Sequence, residues 1–160
     1  MVDTEIWLRL ISISSLYGDD MVRIAHWLAK QSHIDAVVLQ TGLTLRQAQR
    51  FLSFPRKSIE SSLCWLEQPN HHLIPADSEF YPPQLLVTTD YPGAMFVEGE
   101  LHALHSFQLA VVGSRAHSWY GERWGRLFCE TLATRGVTIT SGLARGIDGV
   151  AHKAALHVNG

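Results

Sequence analysis

Residues 109–118 read LAVVGSRAHS, and residues 136–149 read GVTITSGLARGIDG. In each stretch an apolar or β-branched run, typical of a buried strand, stops at glycine, serine and arginine. A helical pattern of apolar residues follows each one, up to Leu132 and from about Gly146 to Leu156. The order strand, helix, strand, helix predicts an α/β fold, the first half of a Rossmann-like, doubly wound parallel sheet.

Local signals predict where these elements begin and end. Leu109–Val112 should form a strand that is buried on both faces, and Val137–Thr140 should form the next strand. Ser118 is expected to cap the first helix, and Gly136 stands where a left-handed residue ends it. A third strand does not follow before Gly160, so we expect the α/β domain to be incomplete here and the natural sequence to continue.

The N-terminal part of the chain is organised differently. Apolar residues at helical spacing predict a small helical domain over residues 1–68, of the SAM-like or helix-hairpin-helix-like kind. Asp19 or Asp20 is a plausible N-cap of its second helix, and Thr44 can cap its third. A helix-hairpin-helix module that grips DNA needs a Gly-apolar-Gly turn, which this domain lacks, and the nearby acids would repel phosphate. We therefore expect a structural or partner-docking role for it.

Five of the six prolines fall within residues 69–108, which excludes a helix interior there. This segment is predicted to be a connector with short strands at residues 72–74 and 94–97. The predicted organisation is therefore a helical domain over 1–68, a proline-rich connector over 69–108, and the start of an α/β domain over 109–160.

The composition is that of a globular protein that acts in the cytoplasm. The chain is 46% hydrophobic and 18% charged, and it contains no apolar run of about 18 residues that could span a bilayer. Asp3 and Glu5 stand where a signal peptide would carry basic residues. The two cysteines, Cys64 and Cys129, lie in apolar helical patterns, so we expect reduced thiols in the core.

The charge is divided unevenly along the chain. Residues 1–110 contain 7 basic and 12 acidic side chains, whereas residues 111–160 contain 6 basic and 3 acidic ones. An anionic partner would therefore bind the second part. Arginines that are merely solvated on helix faces would give the same counts.

The two glycine turns form the candidate site. In an open α/β sheet, ligands bind beyond the carboxyl ends of the strands and against helix N-termini, where both turns lie. We expect Gly142 to adopt a positive φ, and glycine lets the backbone come close to a ligand. Serine hydroxyls, backbone amides and guanidinium groups can then donate to phosphate oxygens. Asp148 should cap its helix or hold the turn. The predicted phosphate- or DNA-binding residues are Gly113, Ser114, Arg115, Ser141, Gly142, Arg145 and Gly146.

Other kinds of site are not indicated. Neither turn matches G-x-G-x-x-G or G-x-x-x-x-G-K-[ST], so no nucleotide cofactor is predicted. The histidines at 71, 72, 102 and 105 lack a cysteine or carboxylate at a metal-ligand spacing, so no metal is predicted. Ser114 and Ser141 have no evident base, so no catalytic residue is predicted. Each turn alone could simply connect a strand to the following helix, but two adjacent turns with the same glycine, serine and arginine residues favour an anion site.

Three longer stretches carry a family resemblance. LAVVGSRAHSWYG, GVTITSGLARGIDGVAHKAAL and the preceding IPADSEFYPPQLLVTTDYPGAMFVEGEL resemble the bacterial DNA-processing protein A (DprA/Smf) family. The resemblance implies a protein that binds single-stranded DNA, is not an enzyme, and helps to load the RecA recombinase in recombination and natural transformation. It places both turns in the family's phosphate pocket, with Arg115 on the DNA backbone, and implies a homodimer surface beyond Gly160.

Two other hypotheses remain open at this point. The first is a nucleotide-binding enzyme that resembles phosphoribohydrolases, although their P-G-G-x-G-T motif is absent from these residues. The second is a protein-interaction module whose working part is the helical domain. Trp119 and Tyr120 follow the first turn and could stack on the bases of a single strand, or they could pack internally.

Overall fold

Helices form the first part of the chain, as the spacing of its apolar residues predicts. In the computed structural model, which describes residues 2–160, the chain divides into two compact units, of which the first ends at Leu104 and the second is His105–Gly160. The helices of the first unit are α1 (Thr4–Ile11), α2 (Gly18–Leu28), α3 (Ile34–Val37), α4 (Leu45–Leu52) and α5 (Arg56–Leu66), and a 3-10 turn at Val38–Thr41 lies between α3 and α4.

The predicted cap of α4 is confirmed. The Thr44 side chain accepts a hydrogen bond from the amide of Gln47, and the Gln47 side chain accepts one from the amide of Thr44. This reciprocal arrangement satisfies two amides that a helix start otherwise leaves unpaired. The α4 helix therefore begins at a fixed place, directly after the loop that contains Gly42.

The predicted cap of α2 is wrong. The helix begins at Gly18, which has a φ of 52°, and its N-cap position is Tyr17, which makes no side-chain cap. Asp19 and Asp20 lie inside the first turn, where carboxylates interact favourably with the helix dipole. Asp19 accepts a hydrogen bond of 2.6 Å from the Tyr91 hydroxyl, so its carboxylate is used for a long-range contact instead of a cap.

The core of the first unit is formed by the apolar faces of its helices. Leu10, Leu28, Val38 and Phe51 have at most 1% of their surface exposed. Each large side chain buried in this way contributes about 1.5–3 kcal/mol relative to an exposed position.

A two-stranded antiparallel sheet follows the helices. It consists of β1 (His71–Pro75) and β2 (Ala94–Glu98), with Leu73 opposite Phe96, and it confirms the two strands predicted in the proline-rich segment. The connection between them contains a 3-10 turn at Leu85–Val87, and a further one at Leu101–His105 follows β2.

The second unit has the predicted order of strand, helix, strand and helix. Its elements are β3 (Gln108–Ala110), α6 (Trp119–Ala133), β4 (Thr138–Thr140) and α7 (Ile147–His157), and β3 is parallel to β4. Ser118 caps α6 by accepting a hydrogen bond from the amide of Gly121, and Gly136 has a φ of 78°. The mixed α/β fold class is confirmed, although the sheet is only partial.

The prediction that β3 is buried on both faces is wrong. Ala110 is exposed, and Val112, which lies past the end of the strand, is 79% exposed. Among the described residues β3 pairs only with β4, and a ladder of three residue pairs leaves much of each face open. The buried part of this unit lies instead between α6, α7 and β4, around Cys129, Ile139 and Ala151.

The two cysteines differ, and only one of them is in the core. Cys129 is fully buried, and burial raises the pKa of its thiol. Cys64 is exposed, contrary to the prediction. It lies five residues after the buried Ile59, which places it about 140° around α5. Within residues 2–160, no helix combines the length and the apolarity that crossing a bilayer requires.

Candidate phosphate-binding site

The turn after β3 carries the first three predicted site residues. The amide of Val111 donates to the carbonyl of Thr140 at 2.8 Å, which extends the ladder beyond β3. The Ser114 hydroxyl oxygen then accepts a hydrogen bond from the amide of Ala116 at 3.1 Å, so this side chain holds the turn in shape. Arg115 is exposed at the tip of the turn.

The turn after β4 carries the other four. The Ser141 hydroxyl donates to the carbonyl of Val111 at 2.6 Å, which joins the two turns at their bases. Asp148 is buried, and its Oδ2 atom accepts a hydrogen bond from the amide of Ala144 at 3.4 Å. The expectation that Asp148 holds this turn is confirmed. Arg145 is exposed, like Arg115.

The structure brings the two turns into direct contact. The amide of Ile147, the first residue of α7, donates to the carbonyl of Ser114 at 3.1 Å. A Cβ atom at Gly113 would lie 2.7 Å from Cγ1 of Ile147, and one at Gly146 would lie 2.6 Å from Cα of Arg115. These distances are too short for carbon atoms, so both glycines are required by the contact between the turns.

The conformational prediction for Gly142 is wrong. The residues with a positive φ in this turn are Leu143, at 56°, and Gly146, at 92°. A Cβ atom at Gly142 would lie 3.1 Å from Oδ2 of Asp148. Gly142 therefore provides room for the carboxylate that holds the turn, and its backbone requires no left-handed conformation.

The amides of both turns remain available to an acceptor. In the part of the chain that the structure describes, the amides of Gly113, Ser114 and Arg115 have no acceptor. The same is true of those of Gly142, Leu143, Arg145 and Gly146. The amide of Ile147 is not available, because the carbonyl of Ser114 occupies it.

The arginines at the site are not neutralised. Within residues 2–160, no carboxylate lies within ion-pair distance of Arg115 or Arg145. Two guanidinium groups and several amides therefore lie on one pair of linked turns. This combination of fixed donors and mobile positive charge is what phosphate oxygens bind.

A groove of about 620 Å³ continues from Arg145 along α6 and α7. Arg126 and Lys153 line it, together with Glu122 and Glu130, and Glu130 lies 3.8 Å from Arg126. We did not single out Arg126 or Lys153 in the sequence, because they are separated along the chain and belong to no motif. The excess of basic residues after position 110 was the signal that pointed to such a surface.

Aromatic side chains are exposed on α6, next to the first turn. Trp119 is 71% exposed and Tyr120 is 65% exposed, so neither packs internally in this unit. The guanidinium of Arg123 lies over the Trp119 ring, 5.4 Å from its centre. Trp119 and Arg123 therefore form a flat surface with a positive charge on it.

The described residues contain no group of three histidine, cysteine or acidic side chains that could hold a metal ion. His71, which invited a metal interpretation, stacks on Trp65 with the ring centres 4.0 Å apart. Within residues 2–160, the hydroxyls of Ser114 and Ser141 have backbone partners only, so neither is bonded to a side chain that could act as a base.

Comparison with known proteins identifies relatives of both parts of the chain. The family described as DNA recombination-mediator protein A matches residues 72–160, and the SMF/DprA SAM domain matches residues 1–64. The chain is 96% identical to Protein Smf of Escherichia coli K12 over its whole length and spans 43% of that protein. It is 33% identical over 88 residues to DNA processing protein DprA of Bacillus subtilis, a match that covers 54% of this chain and 30% of that protein.

A solved structure has the same fold. The X-ray structure of DNA processing protein A from Streptococcus pneumoniae matches with a TM-score of 0.70, over the whole of this chain and 56% of that chain, at 24% identity. The chain thus spans about half, or less, of the relatives that it matches. Because the first family match covers more than half of the chain and a SAM domain precedes it, the chain belongs to the DNA recombination-mediator protein A (DprA/Smf) family.

Proposed function

We propose that the protein binds single-stranded DNA through its phosphate backbone and assists the loading of the RecA recombinase in recombination and natural transformation. One observation carries this proposal: Arg115 and Arg145 lie without a carboxylate partner on two turns that are locked together and have free amides. The names of the relatives, which describe DNA processing, support the same assignment.

The proposed binding is independent of base sequence. Contacts to phosphate fix the position of a strand but carry no information about its bases. Trp119 and Tyr120 are exposed beside the first turn, where unpaired bases could stack on them. A duplex hides the faces of its bases within the stack, so this surface favours single strands.

We propose a binding protein and not an enzyme. The hydroxyls that a catalytic mechanism would use, those of Ser114 and Ser141, stabilise the two turns instead. A phosphoribohydrolase-like enzyme is not favoured, because the family and the relatives that match are DNA-processing proteins.

We propose that residues 1–68 act as a separate helical domain, that 69–108 connect it to the α/β domain, and that 109–160 carry the first DNA contacts. The longer protein would form a homodimer through regions beyond this chain, act in the cytoplasm and need no cofactor.

A salt series of fluorescence-anisotropy titrations tests the proposal. Labelled single-stranded and duplex oligonucleotides of equal length would be titrated with the natural full-length protein and with this 160-residue chain. We expect tighter binding to the single strand, with a linear decrease of log K against log salt. Equal affinity for the two forms at low salt would contradict the proposal and would redirect the search to nucleotide hydrolysis.

A further inference from the structure

The first unit, which we also call the helical unit, contains a cleft lined by basic side chains, although the unit as a whole is acidic. The cleft has a volume of about 430 Å³ and lies between the loop after α1 and the start of α4. Its lining includes Ser14, Ser15, Arg46 and Arg50, and it contains no acidic residue. A neighbouring cleft in the same unit is lined by three carboxylates.

Two arginines project from one face of α4 without an acidic partner. Arg46 and Arg50 are four residues apart, so they are neighbours on the helix surface. Neither forms an ion pair with any residue in the range 2–160. Like charges at this spacing destabilise a helix. An anion that binds both arginines would offset this repulsion.

One of the two arginines in this cleft is held in place by neighbouring groups. The Nε of Arg50 donates to the carbonyl of Ser12 at 3.3 Å, and its guanidinium lies 6.0 Å from the centre of the Phe54 ring. In the described part of the chain the hydroxyls of Ser14 and Ser15 have no hydrogen-bond partner. Two hydroxyls and two guanidinium groups are thus available in one exposed cleft.

The acidic residues that were expected to repel phosphate from this domain have partners outside the cleft. Asp19 accepts a hydrogen bond from Tyr91, and Asp20 forms an ion pair of 2.9 Å with Arg23. Neither carboxylate lines the cleft. The sequence argument against phosphate binding by the helical domain therefore does not apply to this surface.

We infer that this cleft, formed by Ser14, Ser15, Arg46 and Arg50, is a second binding site for the phosphate backbone of nucleic acid. The Cβ atoms of the two arginines are about 6 Å apart along an open surface. This arrangement suits the successive phosphates of a strand better than a single enclosed ion. This inference rests on the proposed function, because the strand that occupies the cleft is the DNA bound by the protein.

The test compares two double variants of the natural full-length protein in titrations with a long single-stranded oligonucleotide. Arg46→Ala/Arg50→Ala removes two cleft charges, and Lys30→Ala/Lys57→Ala removes two exposed charges of the same unit outside the cleft. We expect the first variant to bind about tenfold more weakly at 0.2 M salt, with a salt slope smaller by about 1.4. The lysine variant should resemble the wild type, and Arg46→Lys/Arg50→Lys should recover most of the affinity.

Arg115→Ala, measured in the same series, separates this inference from the proposed function. If Arg115→Ala weakens binding while the Arg46/Arg50 variant matches the lysine control, the inference is overturned and the proposed function stands. If only the Arg46/Arg50 variant is weaker, the cleft binds DNA and the proposed site at Arg115 is wrong. If inorganic phosphate binds the wild type more tightly than the Arg46/Arg50 variant while both bind the oligonucleotide equally well, the cleft is a site for free phosphate only and the inference is overturned.

Discussion

The amide of Ile147 donates a hydrogen bond of 3.1 Å to the carbonyl of Ser114, so the first residue of α7 is tied to the turn after β3. The two turns are also joined through Ser141 and Val111. A change in one turn must therefore alter the other, and the predictions for this site depend on that coupling.

Gly146→Ala should destabilise the second unit by at least about 2 kcal/mol, because its backbone lies in a region that is nearly restricted to glycine. Its φ is 92° and its ψ is −134°, and the new Cβ would lie 2.6 Å from Cα of Arg115. Urea denaturation of this chain would measure the loss. Gly142→Ala is the control: we expect a smaller loss of about 1 kcal/mol, since Gly142 has no positive φ and its new Cβ would only displace the Asp148 carboxylate slightly, from 3.1 Å. Equal losses for the two variants would contradict this account of the turns.

Arg115→Ala in the natural full-length protein should weaken binding to all single-stranded sequences alike. A contact with phosphate carries no base information, and its loss should reduce the salt slope by about 0.7. Anisotropy titrations with oligonucleotides of different base composition would measure both effects. Arg135→Ala provides a matched control, because Arg135 is exposed in the same unit but donates to the carbonyl of Thr131 in the preceding helix α6. A loss confined to particular sequences would argue against a phosphate contact.

Trp119→Ala should weaken binding to single strands by about 1–3 kcal/mol while the salt slope stays the same, because stacking involves no charge. Phe128→Ala is the control, since Phe128 is also exposed on α6 but lies about 13 Å further along the helix. The two variants would be compared with the wild type over a range of salt concentrations. A similar loss for both, or a smaller slope for Trp119→Ala, would show that Trp119 does not stack on a base.

Tyr91→Phe should destabilise the helical unit by about 1 kcal/mol near neutral pH, because it removes the hydrogen bond to Asp19. That bond, together with burial, raises the pKa of Tyr91 to about 12. The stabilisation should therefore be complete below pH 10, the ordinary pKa of a tyrosine, and should be lost as the pH rises from 10 towards 12.

Thermal unfolding of this chain at several alkaline pH values would test the prediction for Tyr91. Tyr17→Phe is the control, because Tyr17 is half exposed and, within the described residues, its hydroxyl has no partner. The difference between wild type and Tyr91→Phe should shrink above pH 10. A difference that stays constant up to about pH 12 would mean that the hydrogen bond does not control this titration.

The order of the elements was predictable because it depends on local signals. The β-branched run ending at Thr140, the Ser118 cap and the left-handed Gly136 each act within a few residues along the chain. The same holds for Thr44 and its capping box. For the same reason the positions of both turns beyond the strand ends were predictable, since they follow from the parallel order of strand and helix.

Contacts between distant residues were not predictable in this way. Asp19 or Asp20 was expected to cap α2, but the Asp19 carboxylate is hydrogen-bonded to a tyrosine 72 residues later. Gly146 was predicted to bring the backbone close to a bound phosphate, whereas the group that approaches it in the structure is the other turn. The burial of β3 was overestimated, because it depends on how many strands pair beside it and not on its own composition.

Because the two cysteines differ in burial, they should differ in their rate of reaction with a thiol reagent. A thiol-reactive dye should attach at Cys64, on the surface of the helical unit, without any engineered cysteine, because the buried Cys129 has a raised pKa and little thiolate. Modification of Cys129 would require α6 and α7 to separate. The rate at which a second label appears by mass spectrometry should therefore measure how often the second unit opens, and DNA bound at its turns should slow that rate.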